Sequence, residues 1–146
     1  MFLAVEFHRF VQCFSAAATV FGRADAMPVC RLTFGVINVR SLTNKVDDLL
    51  QVRRDRGIDV LCLVETWHDT DSVCFRSLRS DGYRVVDRPR PRLPSEWSTL
   101  STNHRGVAIV SVPGIRLSLM QLDVDPTSFE LLCARVVWGH LPSSSS

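Results

Sequence analysis

The sequence predicts one mixed α/β domain of the α+β kind, and three observations carry that expectation. Two short, apolar, β-branched runs, 32–38 and 59–65, flank a helical pattern and so make a strand–helix–strand unit. Three further strand-like runs lie late in the chain, separated by turn signals, which appends antiparallel strands to that unit. The 146 residues, 46% hydrophobic and 22% charged, suit a single globular domain, for which about 100–200 residues is usual. No apolar run approaches the roughly 18–20 residues that a bilayer span requires.

Residues 1–30 are rich in Phe and Ala but lack a sustained period, and read as an N-terminal extension, unstructured or weakly helical. Ala24-Asp25-Ala26 imitates a small-x-small cleavage site, so a small secreted protein processed after Ala26 is one alternative. Glu6, His8 and Arg9 count against it, because they interrupt the apolar stretch that a signal peptide needs. Domain texture starts at residue 31. Leu32 to Asn38 reads as a buried strand. Ser41 or Thr43 is positioned to cap a helix in which Val46, Leu49, Leu50 and Arg53 recur at helical spacing up to Gly57. Asp47 and Asp48 at its start, and Arg53 and Arg54 at its end, suit the helix dipole. Asp59 to Glu65 is a second buried strand.

A short helix is predicted over Ser72 to Arg79, stopped near Gly82, and a brief strand over Tyr83 to Val86. Residues 88–104 carry Pro89, Pro91 and Pro94 among Arg88, Arg90 and Arg92, and read as an irregular loop. Strand-like runs follow at 106–112, 115–124 and 129–138. Pro113-Gly114 signals a tight turn and Asp125-Pro126-Thr127 a break, so successive hairpins are expected. Pro142 and four serines end the chain in a polar tail, 139–146.

Charge says little about partners. Fifteen acidic residues nearly cancel 17 basic ones for a net charge of +2, which makes no electrostatic case for nucleic acid. Lys45 is the one lysine; the arginine bias fits phosphate contact and equally fits GC-rich coding sequence. The five cysteines are odd in number, with no C-x-x-C and no zinc spacing. Cys62 and Cys133 lie in apolar runs, where a thiol acts as a small hydrophobe. A reduced, intracellular protein is expected.

The candidate chemistry sits where two apolar strands end in polar side chains, Asn38 and Glu65. In a strand–helix–strand unit the two strands run parallel, so both ends emerge on one edge of the sheet, where open α/β sheets place their sites. A carboxylate with an amide beside it suits a hard divalent cation such as Mg²⁺. The plainer alternatives are that Asn38 caps a turn and that Glu65 pairs with an arginine. Glu65-x-x-His68 copies a di-iron spacing, but that motif needs two copies on facing helices, and the residues before it are strand-like. Arg88, Arg90 and Arg92 are candidates for DNA-backbone contact, and Trp97 for base stacking, whereas Trp67 is expected to pack beneath the site.

Asn38-Val39-Arg40-Ser41-Leu42, followed by a helix and by Asp59-Val60-Leu61-Cys62-Leu63-Val64-Glu65-Thr66-Trp67, resembles the endonuclease/exonuclease/phosphatase superfamily. Within it, the likeness is to the apurinic-endonuclease-like domain of non-LTR (LINE-type) retrotransposons. Gly82-Tyr83 and Arg105-Gly106-Val107-Ala108-Ile109 extend it, so that it covers 31 to about 138, the first half of that domain. The resemblance implies a four-layer α/β/β/α sandwich of the deoxyribonuclease-I-like type, and Mg²⁺- or Mn²⁺-dependent hydrolysis of DNA phosphodiesters. Glu65 matches the metal carboxylate and Asn38 an active-site residue of the same cluster, while Arg40 joins Arg88, Arg90 and Arg92 as a candidate DNA contact.

The family continues with a Y-R-P-type tyrosine, a G-D-F-N block and an S-D-H block. None of these occurs here: Tyr83 is the one tyrosine, and His140 lies in the tail. The resemblance therefore implies a truncated N-terminal half, 31–138, inactive by itself, whose parent element carries the rest of the domain and a reverse transcriptase and acts in the nucleus. A non-catalytic interaction or regulatory fragment of the same fold is the alternative. Half a sandwich also predicts an uncovered inner sheet face and poor solubility.

Overall fold

The apolar runs 32–38 and 59–65 form neighbouring central strands. The computed structural model describes residues 2–3, 12–17, 31–99, 105–123 and 130–137. In chain order the elements are β1 (Phe2–Leu3), β2 (Gln12–Ala17), β3 (Arg31–Asn38), α1 (Val46–Arg56), β4 (Val60–Val64), α2 (Val73–Ser80), β5 (Arg84–Arg88), α3 (Glu96–Thr99), β6 (Val107–Ser111), β7 (Arg116–Met120) and β8 (Cys133–Val137). β3 and β4 pair in parallel, with Asn38 opposite Val64. The remaining neighbours in that sheet are antiparallel, giving the order β2-β3-β4-β6-β5. A second sheet has the order β1-β8-β7.

Alternation along the central strands builds two cores. Phe34, Val36, Val60, Cys62, Val64, Val107 and Ile109 face one way and pack with Ile115, Leu132, Ala134 and Val136 of the small sheet and its flanks. Leu61, Leu63, Ala108 and Val110 face the other way and pack with Leu49 of α1 and with Phe75 and Leu78 of α2. Every residue of β4 and of β6 is buried, as strands covered on both faces must be. Three layers are thus present among the described residues: helices, five-stranded sheet, three-stranded sheet.

That arrangement corrects the expectation of an uncovered inner face, since β7 and β8 supply the cover. It also corrects the expected chain of hairpins. β6 and β7 do not pair; Pro113-Gly114 carries the chain from the large sheet to the small one, while β7 and β8 are antiparallel neighbours. The N-terminal region differs as well. Residues 12–17, expected to be unstructured or weakly helical, form the edge strand β2 in a six-residue register with β3, and residues 2–3 pair with β8. A free backbone edge on β3 is enough to template such a strand, whatever its own propensity.

The helices end as their chemistry dictates. Gly57 closes α1 at φ 59°, ψ 37°, a left-handed conformation that glycine adopts without Cβ strain. The N–H of Ile58 donates to Arg53 O at 3.0 Å and that of Gly57 to Arg54 O at 3.2 Å, a Schellman closure that also delivers Ile58, fully buried, to the helix-side core. The start differs from expectation: neither Ser41 nor Thr43 caps α1, which follows Lys45 with no side-chain cap. The Ser41 hydroxyl instead accepts from the Thr43 N–H at 3.3 Å. Ser72 caps α2 by accepting from the Phe75 N–H at 3.5 Å. The Ala24–Ala26 cleavage signal, the 125–127 break and the 139–146 tail with His140 lie outside the described residues.

Candidate metal and phosphate site

Because β3 and β4 are parallel and in register, their C-terminal ends leave the sheet together. The two following loops stay joined beyond the strands. Val39, Ser41 and Leu42 donate their N–H groups to Val64, Glu65 and Thr66 carbonyls at 3.0, 2.8 and 3.0 Å. Across β4 the other neighbour continues too, Thr66 N–H donating to Gly106 O at 3.1 Å and Trp67 N–H to Arg105 O at 3.0 Å. Asn38, Glu65 and Gly106 therefore share one sheet edge. The end of β5 joins them, since Arg88 lies opposite Val107.

Backbone strain is concentrated there. Among the described residues, the non-glycine positions with positive φ are Arg40 (42°), Ser41 (79°), Asn44 (60°), Glu65 (52°) and Trp67 (53°). All five follow the C-terminal ends of β3 and β4. Each costs on the order of 1–3 kcal/mol and persists only when its surroundings hold it. Lys45 contributes: its ammonium donates to Val39 O at 2.7 Å and to Arg40 O at 2.9 Å. Such strain clusters where side chains must be presented in one direction.

The two central candidates have different environments. Asn38 is half-buried and its Oδ1 accepts from the Arg40 N–H at 3.2 Å, so it does form the turn that was the plainer alternative. Glu65 is half-buried, and its carboxylate makes no hydrogen bond or ion pair among the described residues, so the arginine pairing expected as its plainer role is absent there. Of the four arginines, Arg40 is exposed beside Asn38. Arg88 is exposed and donates from Nη1 to Leu131 O at 3.1 Å. Arg90 reaches Glu96 at 3.6 Å. Arg92, its side chain only 6% exposed, pairs with Asp69 at 2.9 Å and lies 4.7 Å from the ring centre of the exposed Trp97. Those last two arginines thus bind the loop after β5 to its own surroundings. Trp67 is half-buried.

No family model matches the chain, and no curated protein matches it. Among solved structures the chain is similar to the 3′ phosphatase NExo from Neisseria, determined bound to product DNA hairpin. The likeness has 27% identity and a TM-score of 0.43, over 64% of this chain and 33% of that one. The chain thus spans about a third of that protein's length.

Behind Glu65 lies a polar cluster that no motif announced. His68 is buried; its Nε2 is 3.0 Å from Asp87 Oδ2 and its Nδ1 is 2.6 Å from Thr66 Oγ1. Asp87 Oδ1 accepts from Arg79 Nη2 at 2.7 Å. The hydrogen bond from His68 holds the Asp87 carboxyl below the usual carboxylate range, with Arg79 assisting and burial opposing. An ionised Asp87 can only accept, so His68 Nε2–H donates to its Oδ2. The imidazole and the Phe75 ring stand T-shaped, their centres 4.6 Å apart. His68 is therefore a core residue on the loop after β4, which disposes of the di-iron spacing. Its partner lies 19 residues away in β5, a distance at which spacing carries no signal.

Gly106 makes room for this cluster. At φ +115°, a Cβ there would stand 2.8 Å from Thr66 Oγ1 and 3.0 Å from His68 Nδ1. Its N–H donates to both oxygens of the Glu130 carboxylate, at 3.2 and 3.1 Å. Glu130, half-buried and likewise missed in the sequence, brings a second carboxylate to the neighbourhood of the edge. Among the described residues no three His, Cys, Asp or Glu side chains gather as a ready-made ligand set. The donors fit Mg²⁺ or Mn²⁺ in their sparse mode, in which one or two carboxylates act with retained waters and substrate phosphate.

Proposed function

We propose that residues 31–137 form the metal-and-phosphate corner of a divalent-metal-dependent DNA endonuclease of the endonuclease/exonuclease/phosphatase type, as carried by non-LTR retrotransposons. The single observation that carries this reading is Glu65. Its carboxylate is half-buried, without a hydrogen bond or ion pair among the described residues, on a strained backbone beside Asn38 at the carboxyl edge of a parallel strand pair. A carboxylate held at this edge with no partner among the described residues is open to a divalent ion, which takes one or two protein carboxylates and keeps several waters.

Glu65 would hold the ion. A bound ion supplies Lewis-acid polarisation of a phosphoryl oxygen. Asn38, with Oδ1 accepting from Arg40 N–H, keeps its amide N–H groups for a phosphate oxygen. Arg40, exposed and adjacent, adds charge toward the DNA backbone, and Arg88 flanks the same edge. No residue of this sequence matches the family's G-D-x-N or S-D-H blocks, so the chain alone has no assigned base for water. The reading is accordingly of a chain that binds ion and phosphate without turnover, its parent element providing the other half of the domain and the nuclear setting in which DNA is cut.

The test incubates supercoiled plasmid with the purified chain and Mg²⁺ or Mn²⁺, with Glu65→Ala alongside, and titrates Mn²⁺ into both proteins. The expected result is Mn²⁺ uptake weakened by roughly tenfold or more in Glu65→Ala, with no nicking by either. Nicking that disappears in the variant would overturn the inactivity and retain the nuclease. Equal Mn²⁺ uptake by both would overturn the site and favour a non-catalytic interaction fragment.

A further inference from the structure

We infer that the chain of hydrogen bonds Arg79–Asp87–His68–Thr66 is the positioning device of the Glu65 loop, fixing the carboxylate from behind while touching neither metal nor phosphate. This inference rests on the reading of Glu65 as the carboxylate of the site. It assigns a role to four residues that the resemblance leaves without one.

The geometry runs in one direction, from α2 through β5 to the loop after β4. Arg79 on the last turn of α2 is half-exposed and donates to Asp87 at 2.7 Å and to Val85 O at 3.3 Å. It anchors one carboxylate oxygen of Asp87 on β5. The other oxygen is left for His68 at 3.0 Å. Phe75 and the imidazole pack T-shaped, ring centres 4.6 Å apart at 84°, so the imidazole is held by apolar contact as well as by its two nitrogens. His68 Nδ1 then holds the hydroxyl of Thr66, the residue directly after Glu65.

The hold acts where it is needed. Thr66 is flanked by two residues with left-handed backbone, Glu65 and Trp67, a conformation that relaxes unless the surroundings over-determine it. The backbone of Thr66 is bonded on both sides, its carbonyl accepting from Leu42 N–H and its N–H donating to Gly106 O. Its side chain supplies the third restraint. Gly106 closes the arrangement from the opposite side, because any Cβ there would intrude on Thr66 Oγ1 and His68 Nδ1 together. Held in this way, the backbone on either side of Thr66 keeps the direction in which Glu65 leaves the sheet edge.

The test uses the full chain and compares Thr66→Val, which removes the hydroxyl at nearly constant shape, with Thr66→Ser, which keeps it, and with Asp87→Asn. Amide hydrogen exchange reads the loop directly through Ser41 and Leu42, whose N–H groups bond to Glu65 and Thr66 carbonyls. Ile58 and Val112, bonded to Arg53 and Asp59 carbonyls, report the remote structure. Thr66→Val and Asp87→Asn are expected to speed exchange about tenfold at Ser41 and Leu42 alone, Thr66→Ser to restore it, and Mn²⁺ affinity to fall in the same order. Unchanged exchange at Ser41 and Leu42, or an equal rise at all four amides, would overturn the inference. Local loosening in a chain that takes up no Mn²⁺ would support the positioning device and sink the metal reading. If Thr66→Val fails to fold, Asp87→Asn carries the same comparison.

Discussion

Gly106→Ala is the substitution on which the packing behind the site can be judged most sharply. Position 106 has φ +115°, and an added Cβ would lie 2.8 Å from Thr66 Oγ1, 3.0 Å from His68 Nδ1 and 3.1 Å from His68 Cε1. The backbone alone costs alanine on the order of 1–3 kcal/mol at such a φ. Separating Thr66 from His68 removes a buried hydrogen bond worth about 1 kcal/mol. The total expected loss is about 2–4 kcal/mol. Gly57→Ala provides the control, since φ there is +59° and nothing lies within 4 Å of the added Cβ; it should lose about 1–2 kcal/mol from the backbone alone. Urea unfolding of both variants at constant slope measures the difference. Adding Thr66→Ala to Gly106→Ala should return part of the loss, because contacting residues are non-additive. A Gly106→Ala variant no less stable than Gly57→Ala would refute the close approach on which the Thr66–His68 cluster depends.

Two further outcomes follow from ionisation. Burial pushes the Cys62 thiol up to about 12, so at pH 8 in the native protein it should resist iodoacetamide while half-buried Cys74 reacts; peptide mapping that finds equal labelling would contradict the burial. The Asp87 carboxyl is held below its ordinary range, chiefly by the bond from His68. Its contribution to stability is therefore complete above about pH 4 and is lost as pH falls through the lower folded value. Asp87→Asn should lower stability at pH 7 and flatten the fall below pH 4 in urea titrations; an unaltered acid limb would count against the pair.

The central frame was legible because it is local. Apolar runs at 32–38 and 59–65, with Gly57 and the Asp47/Arg53 charge order between them, specify strand, helix and strand, and parallel pairing then brings Asn38 and Glu65 to one edge. What escaped was decided by tertiary partners. Gln12–Ala17 has no alternating pattern, and becomes a strand because β3 offers an open edge. Pro113-Gly114 marks a turn without saying which sheet receives the next strand, and the cover over Phe34, Val36 and Cys62 hangs on that choice. His68 and Asp87, and Gly106 with Glu130, meet across 19 and 24 residues, beyond any period or spacing rule. The strained backbone at Glu65 and Trp67 runs against residue preference and is visible only in the folded chain.

Paramagnetic broadening by Mn²⁺ of the isotope-labelled chain tests the placement of the site most directly. At substoichiometric Mn²⁺, the amides of 38–41 and 65–67 should broaden first, and Glu65→Gln should abolish that pattern with the rest of the spectrum intact. Broadening that begins at the surface carboxylates Asp47 and Asp48 or Asp69 and Asp71, or that survives Glu65→Gln, would contradict a divalent-ion site at this edge.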